Sequence, residues 1–229
     1  MAVILVTGAN RGIGLEFTRQ FAARGDRVIA TAREPEAARE LRALAAAHPG
    51  AIEIHALDVV DGASVASLAR ALAGRGVDVL INNSGVYGPD RQSTVDMDFD
   101  AFAEILAVNT IAPLRVTQAL LANVRAARGK IVAISSRVSL FAEAGSDDIA
   151  YRVSKTALNR VFQALAKDLM PEGLPVLMLT PGWVRTDMGG PEAPLAVDDS
   201  VRGMIAQIDA LDMTRSGQLR SMRGELLPW

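Results

Sequence analysis

Short, uniformly apolar runs rich in β-branched residues alternate along this chain with longer Ala- and Leu-rich amphipathic runs. Ala2–Val6, Arg27–Thr31, Ile52–Leu57, Val77–Ile81, Lys130–Ser135 and Val176–Thr180 read as six strands, and Gln218–Met222 as a short last one. Unbroken apolarity, as in Val77–Ile81, suits a strand covered on both faces. Between the strands the spacing predicts helices over Gly12–Arg24, with Leu15, Phe17 and Phe21 on it and Gly25 as its stop, and from Pro35 through Ala47. Further helices are predicted over Ser64–Ala73, Tyr151–Leu169 and Val197–Leu211, with one or two helical pieces in Phe99–Val124 interrupted near Pro113. This alternation predicts an α/β protein: a three-layer, doubly wound parallel sheet, the Rossmann architecture. No linker, repeat or low-complexity stretch divides residues 1–229, which read as a single domain.

Composition narrows the function classes. Half of the 229 residues are hydrophobic, ample for one core, and the net charge of −2 offers no basic field for nucleic acid. The chain has no cysteine, which excludes disulfides, thiol nucleophiles and cysteine zinc sites and fits a reducing cytoplasm. The apolar start runs into a glycine turn after five residues, too short for a signal peptide, and no membrane span is expected because no apolar run approaches about 20 residues.

The chemistry starts at that turn, Thr7-Gly8-Ala9-Asn10-Arg11-Gly12-Ile13-Gly14, placed between the first strand and the first helix. Gly8 permits the sharp bend, Gly12 lets backbone approach a pyrophosphate, and Gly14 permits close helix packing. The following helix offers free N–H groups and a positive dipole end to phosphates. The second strand ends in Thr31-Ala32-Arg33. Arg33, with Arg11 beside the turn, provides cations for the 2′-phosphate of NADP, whereas Glu34 is the residue that would hold the ribose of NAD. Asp58 follows the third strand where an adenine would lie; its alternative role is to cap the helix beginning near Asp61. Asn82-Asn83-Ser84-Gly85 suits a turn packed against a cofactor, though the same composition favours any turn.

Tyr151 and Lys155 stand four apart, hence on one helix face. A free phenol titrates near 10 and is a sluggish acid at neutral pH; a neighbouring ammonium is expected to lower it. Ser135-Ser136 closes the fifth strand; Ser136, with Ser135 as the alternative, is placed to hydrogen-bond a substrate carbonyl. Asn109 precedes Pro113 by four residues, where the ring frees a carbonyl able to hold a water near Lys155; the bland reading is a polar residue at a helix break. No Gly-x-Ser-x-Gly elbow is present, and His48 and His55 read as surface or strand-end residues, which disfavours a serine hydrolase. In Pro181-Gly182-Trp183-Val184-Arg185-Thr186, Thr186 is placed to bond a nicotinamide carboxamide. Residues 187–196 form a candidate lid, and Trp183 and Met188 are candidate substrate walls or core.

In order, these residues resemble the short-chain dehydrogenase/reductase superfamily over nearly the whole chain. The resemblance rests on Thr7-x6-Gly14, Asp58, Asn82-Asn83-Ser84-Gly85, Asn109, Ser136, Tyr151-x3-Lys155 and Pro181-Gly182-x3-Thr186. It implies Tyr151 as proton donor, Lys155 on the nicotinamide ribose, Ser136 on the carbonyl, Asn109 in a water relay, and hydride transfer between NADP(H), less readily NAD(H), and a carbonyl or alcohol. Implied cofactor contacts are Gly8, Asn10, Arg11, Gly12, Ile13, Gly14, Arg33, Asp58, Val59, Asn83, Ser84, Gly85, Tyr151, Lys155, Pro181, Gly182, Val184 and Thr186. A homodimer or homotetramer is implied as well. The stretches 151–159 and 181–190 and the ending Gly224–Trp229 are similar to the C-factor-like and sniffer-like carbonyl reductase branch. Ser84 departs from the family's usual alanine, and Ser136 stands farther from Tyr151 than is common, so the 137–150 loop is expected to reshape the substrate mouth. The reading from a different class is a nucleotide-binding regulator, which would have no use for a tuned acid.

Overall fold

A computed structural model describes residues 1–143 and 145–228; Ala144 in the 137–150 loop and Trp229 of the chain's ending lie outside the described residues. Strand and helix alternate as β1 (Val3–Val6), α1 (Gly12–Ala23), β2 (Arg27–Ala32), α2 (Arg39–Ala47), β3 (Ile52–Ala56), α3 (Gly62–Ala71) and β4 (Val79–Asn82). A two-stranded antiparallel ribbon, β5 (Gln92–Ser93) with β6 (Asp96–Met97), precedes α4 (Phe99–Leu106) and α5 (Ala112–Ala127). Then come β7 (Lys130–Ile134), α6 (Ile149–Leu169), β8 (Val176–Thr180), α7 (Val197–Asp209) and β9 (Gln218–Ser221). Seven strands pair in the order β3-β2-β1-β4-β7-β8-β9, every neighbour parallel.

The central strands β1, β4, β7 and β8 are largely apolar because successive side chains enter different cores, whereas the edge strands β3 and β9 carry polar residues. Leu5, Leu80, Ile131 and Met178 join Val65 of α3, Val116 and Leu120 of α5, and Leu158 and Phe162 of α6. Their chain neighbours Ile4, Ile81, Val132 and Leu177 join Phe17 and Phe21 of α1, Leu41 of α2 and Met204 of α7 on the opposite side. The result is the three-layer sandwich that the alternation predicts.

Two elements differ from expectation. Pro35 opens a separate 3-10 turn, Pro35–Ala37, and α2 begins only at Arg39. The residue between them, Ala38, is buried in the core with a non-helical ψ of 68°, so its packing breaks the run. Near Pro113 the helix widens instead of breaking. Proline has no N–H for the Asn109 carbonyl, and residues Ala107–Ile111 form a π segment in which the Ala112 N–H bonds to the Ala107 carbonyl. Phe99–Ala127 is therefore one helical run of 29 residues. By length and composition it is long and apolar enough to cross a membrane, contrary to expectation, but Val116, Leu120 and Val124 pack into the core between α3, α6 and the sheet.

Candidate active site

Strand order reverses between β1 and β4, and the loops after these strands open a crevice at their carboxyl ends. The two loops are stitched together. The Thr7 hydroxyl accepts from the amides of Asn83 and Ser84, both at 3.0 Å, and the Asn83 side-chain amide donates to the Thr7 and Gly8 carbonyls at 2.9 and 3.1 Å. Gly14 is obligatory: a Cβ there would stand 2.2 Å from the Gly8 carbonyl oxygen. The side chain of Asn83, an expected cofactor contact, is thus spent on holding the turn.

The start of α1 fits a pyrophosphate. Arg11 occupies its N-cap position in extended backbone and no side chain caps the helix, so its first amides are left for a ligand. Arg11 reaches across the crevice mouth and pairs with Asp187 at 3.0 Å, both exposed. Arg33 stands exposed one residue past β2, and Asn10 is exposed beside the turn. Asp58 is half-buried and accepts from the Val60 amide at 3.1 Å. The cap of α3 is Asp61, which accepts from the Ala63 amide, so Asp58 is not the capping residue.

Lys155 is buried and donates from Nζ to the Ile134 carbonyl at 2.9 Å. Burial brings its ammonium down to about 8. Its Nζ lies 5.8 Å from the centroid of the Tyr151 ring. The expected lowering of the Tyr151 phenol is absent: burial pushes it up to about 12, opposed by a hydrogen bond with Ser136. The ammonium is spent on a carbonyl, so a lowered phenol requires a further group in the site. The two candidate serines separate cleanly. Ser135 is buried and donates to the Asn159 Oδ1 at 2.7 Å, a structural bond, while the Ser136 Oγ accepts from the Val138 amide at 3.4 Å and lies close enough to the Tyr151 phenol to oppose the effect of burial on it. Lys155 and Asn109 converge on Gly85, where a Cβ would lie 3.5 Å from Nζ and 3.3 Å from the Asn109 Oδ1.

Asn109 is fully buried in the π segment, and its side chain grips Val86: Oδ1 accepts from the Val86 amide at 2.9 Å and Nδ2 donates to the Val86 carbonyl at 2.8 Å. The same Nδ2 donates to Ser154 Oγ at 3.0 Å. Sequence reasoning missed the buried Gln92. Its Oε1 accepts from the Tyr151 amide at 3.0 Å, and its Nε2 donates to the Tyr87 and Pro89 carbonyls at 2.9 and 2.8 Å. It also missed Tyr87, whose ring centroid lies 4.9 Å from that of Tyr151. No spacing rule joins a loop residue to a helix this far along the chain; that only two tyrosines occur was the sole available signal.

The loop after β8 closes on the turn from the other side. Thr186 Cγ2 lies 3.4 Å from where a Gly12 Cβ would be, and the Thr186 hydroxyl accepts from the Gly189 amide at 3.1 Å. Val184 is buried and bridges to Leu195, Ser200 Oγ donates to the Pro181 carbonyl at 2.7 Å, and Trp183 Nε1 donates to the Gly189 carbonyl at 2.7 Å. The 183–195 segment is thus tied to itself by main-chain bonds. Trp183 and Met188 are exposed, which removes the core reading for both.

The family model for short chain dehydrogenases matches residues 2–194. The C-signal protein of Myxococcus xanthus is 44% identical over 155 residues, 67% of this chain and 93% of that one. Among solved structures, the NADPH-bound carbonyl reductase from chicken fatty liver superposes with a TM-score of 0.92 at 33% identity, covering 100% of this chain and 98% of that one. Carbonyl reductase Sniffer of D. melanogaster gives 0.92 at 29% identity with 100% of both chains covered.

Proposed function

The chain belongs to the short chain dehydrogenase family, and from that premise we propose that it is an NADP(H)-dependent reductase of ketones or aldehydes, reversible with the alcohol. One observation carries the reading: Tyr151 and Lys155 meet at the switch-point crevice, Lys155 Nζ 5.8 Å from the Tyr151 ring centroid, with Ser136 close beside the Tyr151 phenol. The uncapped start of α1 receives the pyrophosphate, and exposed Arg33 receives the 2′-phosphate, as the NADPH-bound carbonyl reductase neighbour encourages.

The substrate carbonyl oxygen sits between the hydroxyls of Ser136 and Tyr151. Ser136 holds it and stabilises the charge that develops there. Tyr151 gives that oxygen its proton. When bound, the reduced nicotinamide supplies the hydride that goes to the carbonyl carbon. The products are the alcohol, the oxidised nicotinamide and the Tyr151 phenolate, which takes its proton back from solvent; the positive charge left on the nicotinamide would favour that phenolate. Asn109 and Gln92 hold the surrounding loop and helix start, so the acid does not wander.

A second reading, nucleotide binding as a signal without needed turnover, is favoured by the name of the C-signal relative. The test is NADPH consumption across ketones and aldehydes, with NADPH binding followed by fluorescence, for wild type and Tyr151→Phe. The expected result is turnover lost in the variant while the NADPH Kd stays within about twofold, since the phenol hydroxyl supplies chemistry more than affinity. Near-normal turnover in Tyr151→Phe would remove the mechanism. Tight NADPH binding by a wild type that reduces no carbonyl would leave the signalling reading in place.

A further inference from the structure

Tyr87 is not used by the mechanism above, yet it is built into the site. It lies in the loop after β4, and the residues around it are fixed from both sides. Asn109 holds both the amide and the carbonyl of Val86, and Gln92 holds the Tyr87 carbonyl with the same side chain that accepts from the Tyr151 amide. Its ring is tilted 44° to the Tyr151 ring with centroids 4.9 Å apart, a favourable aromatic geometry. Burial, and next to it the Asp148 carboxylate, push the phenol up; Asp148 is itself buried and pairs with Arg152 at the start of α6. Despite these ties Tyr87 is 43% exposed. A large aromatic held rigidly, beside the proton donor, with much of its surface left open, has the properties of a binding wall.

We propose that Tyr87 is a specificity-determining residue of the carbonyl site, selecting substrates whose carbonyl carries a planar conjugated substituent such as an aryl ring. The inference rests on the reductase reading. A carbonyl oxygen protonated by Tyr151 lies within about 3 Å of that hydroxyl. With the two rings in contact, the substituent of such a carbonyl falls within reach of Tyr87. A flat π system stacks on the held ring at little further ordering cost, whereas a saturated ring of equal size gains area contact alone. The main-chain bonds around Tyr87 hold the ring in place, and the ring does the recognising.

The experiment compares benzaldehyde with cyclohexanecarbaldehyde, NADPH as reductant, in wild type, Tyr87→Ala and Tyr87→Phe. The readout is the ratio of the two kcat/KM values, which the fraction of correctly folded enzyme does not move. The expected result is that the ratio falls about fivefold in Tyr87→Ala and stays within about twofold of wild type in Tyr87→Phe, which keeps the ring. An unchanged ratio in Tyr87→Ala overturns the proposal, and so does an equal fall in Tyr87→Phe, because the hydroxyl would then be the determinant. If the wild type consumes NADPH with neither aldehyde nor any other carbonyl, the reductase reading itself falls and takes this one with it.

Discussion

Lys155 carries a cation into a buried position with one carbonyl as its visible partner, and that has a consequence in pH. Its ammonium titrates at about 8 when folded, against an ordinary 10.5. Between those values the unfolded chain holds a proton that the folded protein has lost, so this group makes stability rise with pH from about 8 to 10.5. Below that window the buried charge costs on the order of 3 kcal/mol. Tyr151 acts in the opposite sense higher up: its phenol, at about 12 rather than 10, makes stability fall across that interval. Urea unfolding of the nucleotide-free protein and of Lys155→Met should therefore diverge between pH 7.5 and 9.5, the wild type gaining on the variant by about 1–2 kcal/mol. Parallel profiles would mean the ammonium is better solvated than its burial implies. Arg33 belongs to this scale as well. Exposed and one residue past β2, it should carry cofactor preference, so Arg33→Ala is expected to weaken NADPH by about tenfold or more while leaving NADH within about twofold, measured by fluorescence titration. Equal loss for both nucleotides would shift the assignment to Arg11.

The elements were legible wherever local chemistry decides them. Apolarity marked the central strands, and Gly25 marked the end of α1. The misreadings fall where two local rules compete with packing. Pro35 is a good first-turn residue, but burying Ala38 splits the run behind it. Pro113 is a helix breaker, but a π segment absorbs it, and this puts Asn109 on Val86. The start of α6 shows what sequence does not offer. Its first turn is not served by its own N-cap, Asp148, which makes no cap bond; Gln92, from the small ribbon, accepts from the Tyr151 amide instead. Gln92→Ala removes that acceptor and the two donors to Tyr87 and Pro89, leaving partly buried backbone groups unpaired. The expected cost is about 2–3 kcal/mol in chemical denaturation, with kcat/KM reduced more than NADPH affinity. Loss of stability with no loss of kcat/KM would show that the loop keeps its place without Gln92.

At the scale of the molecule, the crevice exists because two halves of one sheet are wound outward from β1 and β4, and the alternation of elements made that much readable. The candidate residues of the site come one motif at a time, since each motif is local. Their mutual arrangement was not, because it depends on contacts across 76 and 77 residues of chain, such as Asn83 and Ser84 on the Thr7 hydroxyl. Thr7 is fully inside and its hydroxyl is the shared acceptor for two amides that cross the switch point. Thr7→Val keeps volume and branching but removes that acceptor, leaving two half-buried amides unpaired at about 1–3 kcal/mol each. The loop after β4 also carries Gly85, against Lys155, and Tyr87, against Tyr151, so the damage should spread from the nucleotide side to the catalytic side. Thr7→Val is expected to lower stability by about 2–4 kcal/mol, weaken NADPH binding by about tenfold, and lower kcat/KM further than the binding loss accounts for. NADPH at a hundred times its new Kd should restore about 2.7 kcal/mol of that stability, because the ligand would then hold together the two loops the hydroxyl no longer joins. A variant that loses stability yet binds NADPH as tightly as wild type would show that the stitch serves folding alone, and that the nucleotide site is set by the glycine turn without help from β4.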